Sequence, residues 1–218
     1  MNCCRSQLCE GTNRFFSRWS KRYAKDFRKK GPDKIQTMIL RGVGSDGSSF
    51  RHILDIGCGV GSLHLTLLTQ GAQRATGIEV SIGMLEEARK LSIEFGVKDR
   101  VEYVAEDFVQ VADTVDRADI TLLDKVVCCY DNPKALLAAS LGKTTGVYAL
   151  SHPREHILIK LTFKLQIFIN RLLRTSFHPY WHDWGVLRGM ILSSGFALRY
   201  EDASFVWRVL VFERTPGR

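Results

Sequence analysis

No stretch of this 218-residue sequence stays apolar and uncharged for the roughly 18–20 residues that span a bilayer. The opening MNCCRSQLCEGTNRFF has no continuous apolar run of the secretory-leader kind. Both absences lead to an expected cytoplasmic location, with association at a membrane surface left open. The sequence also lacks internal repeats and any Cys-x2-Cys pair. Cys3, Cys4 and Cys9 would need a fourth ligand from elsewhere to hold a metal, so reduced thiols and no metal are expected. A composition 45% hydrophobic and 25% charged excludes a disordered or fibrous chain and suffices for a hydrophobic core.

Basic surplus is missing from most of the chain. Residues 1–50 hold eleven Lys/Arg against four Asp/Glu, which accounts for seven of the formal +8, and the remainder is nearly neutral. The charge is therefore a property of one end and not a nucleic-acid footprint spread over a fold.

That end, residues 1–44, reads as a basic, aromatic helical arm: Phe15 to Leu40 gives one or two amphipathic helices broken at Gly31-Pro32. Gly42 to Ser49 reads as a linker, and residues 45–218 as the main domain. Within it, β-branched runs alternate with helix-length segments. Strands are expected at His52–Ile56, Ala75–Glu79, Val101–Ala105, Ile120–Asp124 and Val147–Ser151. The clearest helices are Ser62–Gln70, Ile82–Phe95 and Pro133–Leu141. The alternation implies an α/β, Rossmann-like doubly wound sheet, mostly parallel. A long helix at about Glu155–Arg174 and another at about Gly185–Ser194 follow. Strands at Ala197–Asp202 and Phe205–Phe212, parted only by Ala203 and Ser204, should close the sheet as an antiparallel edge hairpin.

Asp55-Ile56-Gly57-Cys58-Gly59-Val60-Gly61 stands where the first strand meets the first helix of this domain. Gly57 and Gly59 let a ligand approach the backbone, and Gly61 lets the helix pack close; a merely tight turn is the alternative. Eighteen residues after Gly61, Glu79 places a carboxylate where it can accept bonds from ribose hydroxyls, with Val80 beside it. After the third strand, Asp107 can accept from an adenine amine while Phe108 packs on the base. Met84 either covers the other adenine face or packs in the core. The G-x-G-x-x-G of dinucleotide sites is absent, because the third glycine comes one position early, and Asp55 would face phosphates. A cationic ligand without phosphate, S-adenosylmethionine, suits the turn better.

These segments, with Ala118-Asp119-Ile120-Thr121-Leu122-Leu123-Asp124 as the fourth strand, resemble the successive motifs of class I S-adenosylmethionine-dependent methyltransferases over residues 45–150. The resemblance implies that Gly57, Cys58 and Gly59 pass beneath the methionine part of the cofactor, that Glu79 holds the ribose and Asp107 the adenine, and that Asp124 borders the methyl group. Residues 1–150 and the tail are also similar to magnesium-protoporphyrin O-methyltransferases and to quinone C-methyltransferases. The tetrapyrrole group tends to read His-Tyr-Pro after the fourth strand; here Cys129-Tyr130-Asp131 stands there, so no catalytic role carries over. No Asn-Pro-Pro-Tyr or Asp-Pro-Pro-Tyr follows that strand, which argues against adenine or glutamine amide nitrogens as acceptors.

The expected reaction is methyl transfer to oxygen or carbon of a small apolar or aromatic acceptor. RNA methylation through the basic arm and a catalytically silent cofactor-binding scaffold are the alternatives. Polar groups expected near the acceptor are Tyr130, His152, His178 and His182. Lys160, Lys164, Arg171 and Arg174 form one stripe on the long helix, beside Phe163 and Ile167. That stripe is either a solvated face or, with the arm, a contact for a membrane surface. Nucleic acid is not expected as a partner.

Overall fold

A computed structural model describes residues 7–44, 47–172 and 179–216. Cys3, Cys4, Arg174 and His178 fall outside those ranges, and the side chains of Cys9 and Arg171 are likewise outside the description.

The arm folds as α1 (Gln7–Ser17), α2 (Ser20–Lys30) and α3 (Lys34–Val43). The break at Gly31-Pro32 is present, with Gly31 at φ 70°, and a second break at Arg18-Trp19 separates α1 from α2. Asp33 starts α3 with a capping box: its side chain accepts from the Ile35 and Gln36 amides, and Gln36 accepts from the Asp33 amide. Gly42 and Val43 finish α3 rather than opening a linker, and Gly47–Ser49 forms a 3-10 turn. A Cβ at Gly42 would strike the Tyr200 ring, and one at Gly47 the Leu67 carbonyl oxygen. Those glycines mark close approach of packed segments, which composition alone reads as looseness.

The main sheet contains β1 (His52–Ile56), β2 (Arg74–Ile78), β3 (Val101–Val104), β4 (Ala118–Leu123), β5 (Thr144–Pro153), β6 (Phe196–Ala203) and β7 (Trp207–Arg214). Its order is β3-β2-β1-β4-β5-β7-β6. The first five strands pair in parallel, and β7 runs antiparallel between β5 and edge strand β6. The β6–β7 turn takes Ser204–Val206, because the Ser204 amide donates to the Trp207 carbonyl and delays the second strand to Trp207. Helices α4 (Ser62–Thr69), α5 (Ile82–Glu94), α6 (Phe108–Val111), α7 (Pro133–Lys143), α8 (Ile157–Leu172) and α9 (Trp184–Ser193) complete the described α-helices.

Alternation along the strands divides the core between the two sheet faces. Ile53 joins Ile39 of α3, Leu65 of α4 and Leu91 of α5 on one side. Leu54 and Ile56 join Leu136 of α7, Leu187 and Ile191 of α9 and Tyr148 of β5 on the other. Because β1 is followed outward by β2 and β3 before the chain returns to β4, the order reverses between β1 and β4. A crevice at the carboxyl ends of the strands opens at such a reversal.

Candidate functional site: a cavity at the strand-order reversal

A cavity of about 830 Å³ occupies that crevice. Asp55, Gly57, Cys58, Gly59, Glu79, Val80, Met84, Asp107, Phe108 and Asp124, the ten residues expected to hold the cofactor, all line it.

The glycine turn is held from below by β2. The Gly57 and Cys58 amides both donate to the Ile78 carbonyl, at 2.7 and 3.1 Å, and the Gly59 amide donates to Glu79 Oε2 at 2.9 Å. Three amides that a pyrophosphate site would leave exposed are thus engaged, which disfavours a dinucleotide for a geometric reason the spacing did not reveal. Gly57 sits at φ 64°, and a Cβ on it would collide with Val126. Gly59 sits at φ 56° with no heavy atom within 4 Å of an added Cβ, so its bare backbone forms open cavity floor.

Glu79 Oε1 accepts from the Ser81 amide at 2.8 Å. Burial pushes the Glu79 carboxyl above its ordinary range while the Ser81 and Gly59 amides pull it back. Asp55, 2% exposed, is bonded to His64 Nδ1 at 2.8 Å, and His64 Nε2 lies 3.1 Å from the Tyr103 hydroxyl. His64 and Tyr103 went unread in the sequence. The available signal was the position of His64 in the first turn of α4, from which a side chain reaches back to β1.

Asp107 caps α6 through the Val109 amide, and the Tyr130 hydroxyl donates to both its oxygens, at 2.6 and 2.8 Å. Asp124 accepts from Ser151 Oγ at 2.7 Å and lies 3.4 Å from Lys125 Nζ. Burial raises the Asp124 carboxyl, with Lys125 acting against the rise. Lys125 also reaches Asp33 Oδ2 at 2.7 Å, tying the α3 cap to the end of β4. Burial opposes the charge on both partners, yet Asp124 and Asp33 raise the Lys125 ammonium, and Lys125 lowers the Asp33 carboxyl. Lys125 itself stands at φ 60°, a conformation rare for a residue with a Cβ.

Six aromatic side chains also line the cavity besides Phe108: Phe15, Phe16 and Tyr23 from the arm, Phe163 from α8, Trp207 from β7 and Tyr130, among polar residues such as Gln36, Gln110 and Asn132. The Cys128 and Cys129 thiols also line it, and both donate to the Lys125 carbonyl. Two of the histidines expected here do not reach the cavity. His152 is buried behind the sheet, its ring stacked on Trp184 at 4.0 Å and its Nδ1 bonded to the Pro153 carbonyl. Strand alternation explains the displacement, since Ser151 is turned toward Asp124 and its neighbour must face away. Burial drives the His152 imidazole down to about 4. His182 donates from Nε2 to the Val127 and Tyr130 carbonyls at 3.0 and 2.9 Å, bracing the loop after β4 from outside.

Residues 53–141 match the family model described as a methyltransferase domain. The ribosomal protein L11 methyltransferase of Shewanella halifaxensis is 30% identical over 143 residues, covering 65% of this chain and 46% of that protein. The chain thus matches just under half the length of this relative. Among solved structures, magnesium protoporphyrin IX methyltransferase from Synechocystis PCC 6803 with bound SAH aligns at TM-score 0.68 and 19% identity, over 94% of this chain and 98% of its own. An O-methyltransferase family 2 protein from Planctomyces limnophilus in complex with apigenin aligns at TM-score 0.62 and 21% identity, over 94% of this chain and 62% of its own. The reversal-point cavity and the β2-braced glycine turn draw on the same strands that match the methyltransferase-domain model over residues 53–141, and the chain shares the fold of these solved methyltransferases.

Proposed function

We propose that this chain transfers a methyl group from S-adenosylmethionine to an oxygen or carbon of a small aromatic or apolar acceptor. The observation that carries the acceptor class is that Phe15, Phe16, Tyr23, Phe163 and Trp207 line the same cavity as Asp55, Glu79, Asp107 and Asp124. Two structural neighbours are named for, or bound to, extended aromatic molecules, which supports the same class.

In this reading Glu79 takes the ribose hydroxyls with the oxygen valences left by the Gly59 and Ser81 amides. Asp107 takes the adenine amine, Val80, Met84 and Phe108 flank the ring, and Asp55 draws the ammonium over the Gly57-Cys58-Gly59 floor. Asp124, fixed by Ser151 and Lys125, lies where the sulfonium carries its charge. Transfer is an in-line displacement whose leaving group is a neutral thioether, so alignment and exclusion of water supply most of the acceleration. The arm and α8 exclude the water. The domain division, with residues 1–44 as the arm, belongs to this proposal, as does peripheral contact with a membrane through Lys160, Lys164 and the arm.

Incubation with labelled S-adenosylmethionine and fractionated cell extract tests the acceptor class. Label should enter the organic-soluble small-molecule fraction. Label confined to protein or RNA would refute the small-molecule reading. The absence of any S-adenosylmethionine binding in calorimetry would refute the assignment of the site.

A further inference from the structure

An amphipathic surface helix buries one apolar stripe and leaves the opposite face polar. Helix α8 departs from that pattern. Its inner side presents Ile159, 4% exposed, and Phe163, which lines the cavity. Its outer side presents Ile157, Leu158, Leu161 and Leu165, each at least 54% exposed, across an arc of about 100°. The next positions round the helix are Lys160 and Lys164. At the start of α8, the Arg154 amide donates to the Val206 carbonyl and its guanidinium to the Ser204 carbonyl. These bonds set the β6–β7 turn beside the helix, and the turn carries Phe205, 74% exposed.

The arm, which also lines the cavity, repeats the chemistry. Phe15 and Tyr23 line the cavity and are also exposed, and Trp19 between them is 42% exposed. Exposed Arg18, Lys21 and Arg22 are interleaved with these rings. Two elements that contribute cavity wall therefore both carry outward apolar groups bordered by bases. Apolar side chains at the depth of the acyl boundary, aromatic rings at the headgroups and cations among the phosphates are the layers of an anionic bilayer surface.

We propose that the outer face of α8, with Phe205, is a docking surface for an anionic lipid bilayer, and that the cavity opens toward that surface between α8 and the arm. This moves the contact from the basic stripe of α8 to its apolar face, with Lys160 and Lys164 as flanking anchors. It deepens the peripheral contact proposed above, and it gives an apolar acceptor a path from the bilayer to Phe163 and the aromatic wall without crossing water.

Flotation of the full chain with phosphatidylcholine vesicles, with and without phosphatidylglycerol, tests the proposal. The protein should float with the anionic vesicles, less with neutral ones, and less as salt rises. Leu161→Glu combined with Leu165→Glu should lower partitioning at least about tenfold. Phe205→Ser, outside the helix, should lower it severalfold, so the outcome does not hang on α8 tolerating charge. Lys160→Gln with Lys164→Gln should remove the preference for anionic lipid while leaving residual binding. S-adenosylmethionine calorimetry on each variant verifies folding, and none of these residues contacts the cofactor region. Failure of the wild-type chain to float, or equal flotation of the Leu161/Leu165 and Phe205 variants, would overturn the proposal. So would light scattering that shows a dimer dissociated by the same substitutions, since the face would then join two copies. Flotation without S-adenosylmethionine binding would leave docking intact and refute the methyltransferase reading instead.

Discussion

The Tyr130 hydroxyl donates to both carboxylate oxygens of Asp107, at 2.6 and 2.8 Å, and so links the loop after β4 to the end of β3 across the cavity. If Asp107 takes the adenine amine, Tyr130 holds that carboxylate in place without touching the base through its hydroxyl. Asp107→Ala should weaken S-adenosylmethionine binding by about 1.5–3 kcal/mol, the loss expected for a hydrogen bond to a charged group. Tyr130→Phe should cost no more than about 1 kcal/mol. Calorimetry that reverses the order would reassign adenine recognition to Tyr130.

Gly57 and Gly59 share a left-handed backbone but differ in what surrounds them, so alanine should separate fold from function. At Gly57 the strain of φ 64° adds to a collision with Val126, and Gly57→Ala should destabilise by about 2–4 kcal/mol in urea unfolding. At Gly59 only the strain remains, about 1 kcal/mol, yet the new methyl would project into the cavity floor. Gly59→Ala should therefore leave a folded protein with clearly weakened cofactor binding. Equal stability losses would show that the two turn positions are not distinguished by Val126.

His152 predicts an acid limb in stability. Its imidazole titrates near 4 in the folded protein against an ordinary 6.5, so the unfolded chain binds the extra proton between those values. The contribution of the neutral, buried ring is complete above pH 6.5, falls as pH drops, and levels off below about 4, a span of about 3 kcal/mol. His152→Gln should flatten that part of the stability profile. Retention of the full slope in the variant would assign it to other groups.

Lys125 stands between two carboxylates, one buried at the cavity and one at the α3 cap. Lys125→Met strands Asp124 without its cation and should cost about 3 kcal/mol at neutral pH, less in mild acid where Asp124 can protonate. Asp33→Asn keeps the helix cap and leaves Asp124 paired, so its cost should stay under about 1 kcal/mol. Comparable losses at both sites would mean that the bridge to the arm, and not the charge at Asp124, carries the stabilisation.

The parallel sheet, the glycine turn and the acids that line the cavity were legible because each rests on local spacing: two-residue alternation, a strand-to-helix turn, a carboxylate at or just after a strand end. Glu79 and Asp107 line the cavity as that spacing implies. What depended on neighbours distant in sequence was not legible. His64 is set by Asp55 and Tyr103, and Lys125 by an aspartate ninety-two positions earlier. His152 shows the opposite failure, since proximity in sequence to the end of β5 suggested the cavity while alternation sent its ring to α9. The lysine stripe of α8 was visible by periodicity, but the exposed leucines beside it resembled core until the fold left them uncovered.

Gly42 lies against Tyr200 and Val211, so α3 is seated in part on a hairpin made more than 150 positions after it. That part of the α3 surface thus waits for β6 and β7 before it is covered. Ile39 shares its core cluster with Val209 and Val211, a pairing that spans more than 150 positions. Such long separations slow folding and lengthen the interval in which a nascent chain is open to aggregation or chaperone capture. Removal of the hairpin would take the seat from under Gly42, leaving the arm held by the packing of α1 and α2 on α5 and by the Asp33–Lys125 bridge.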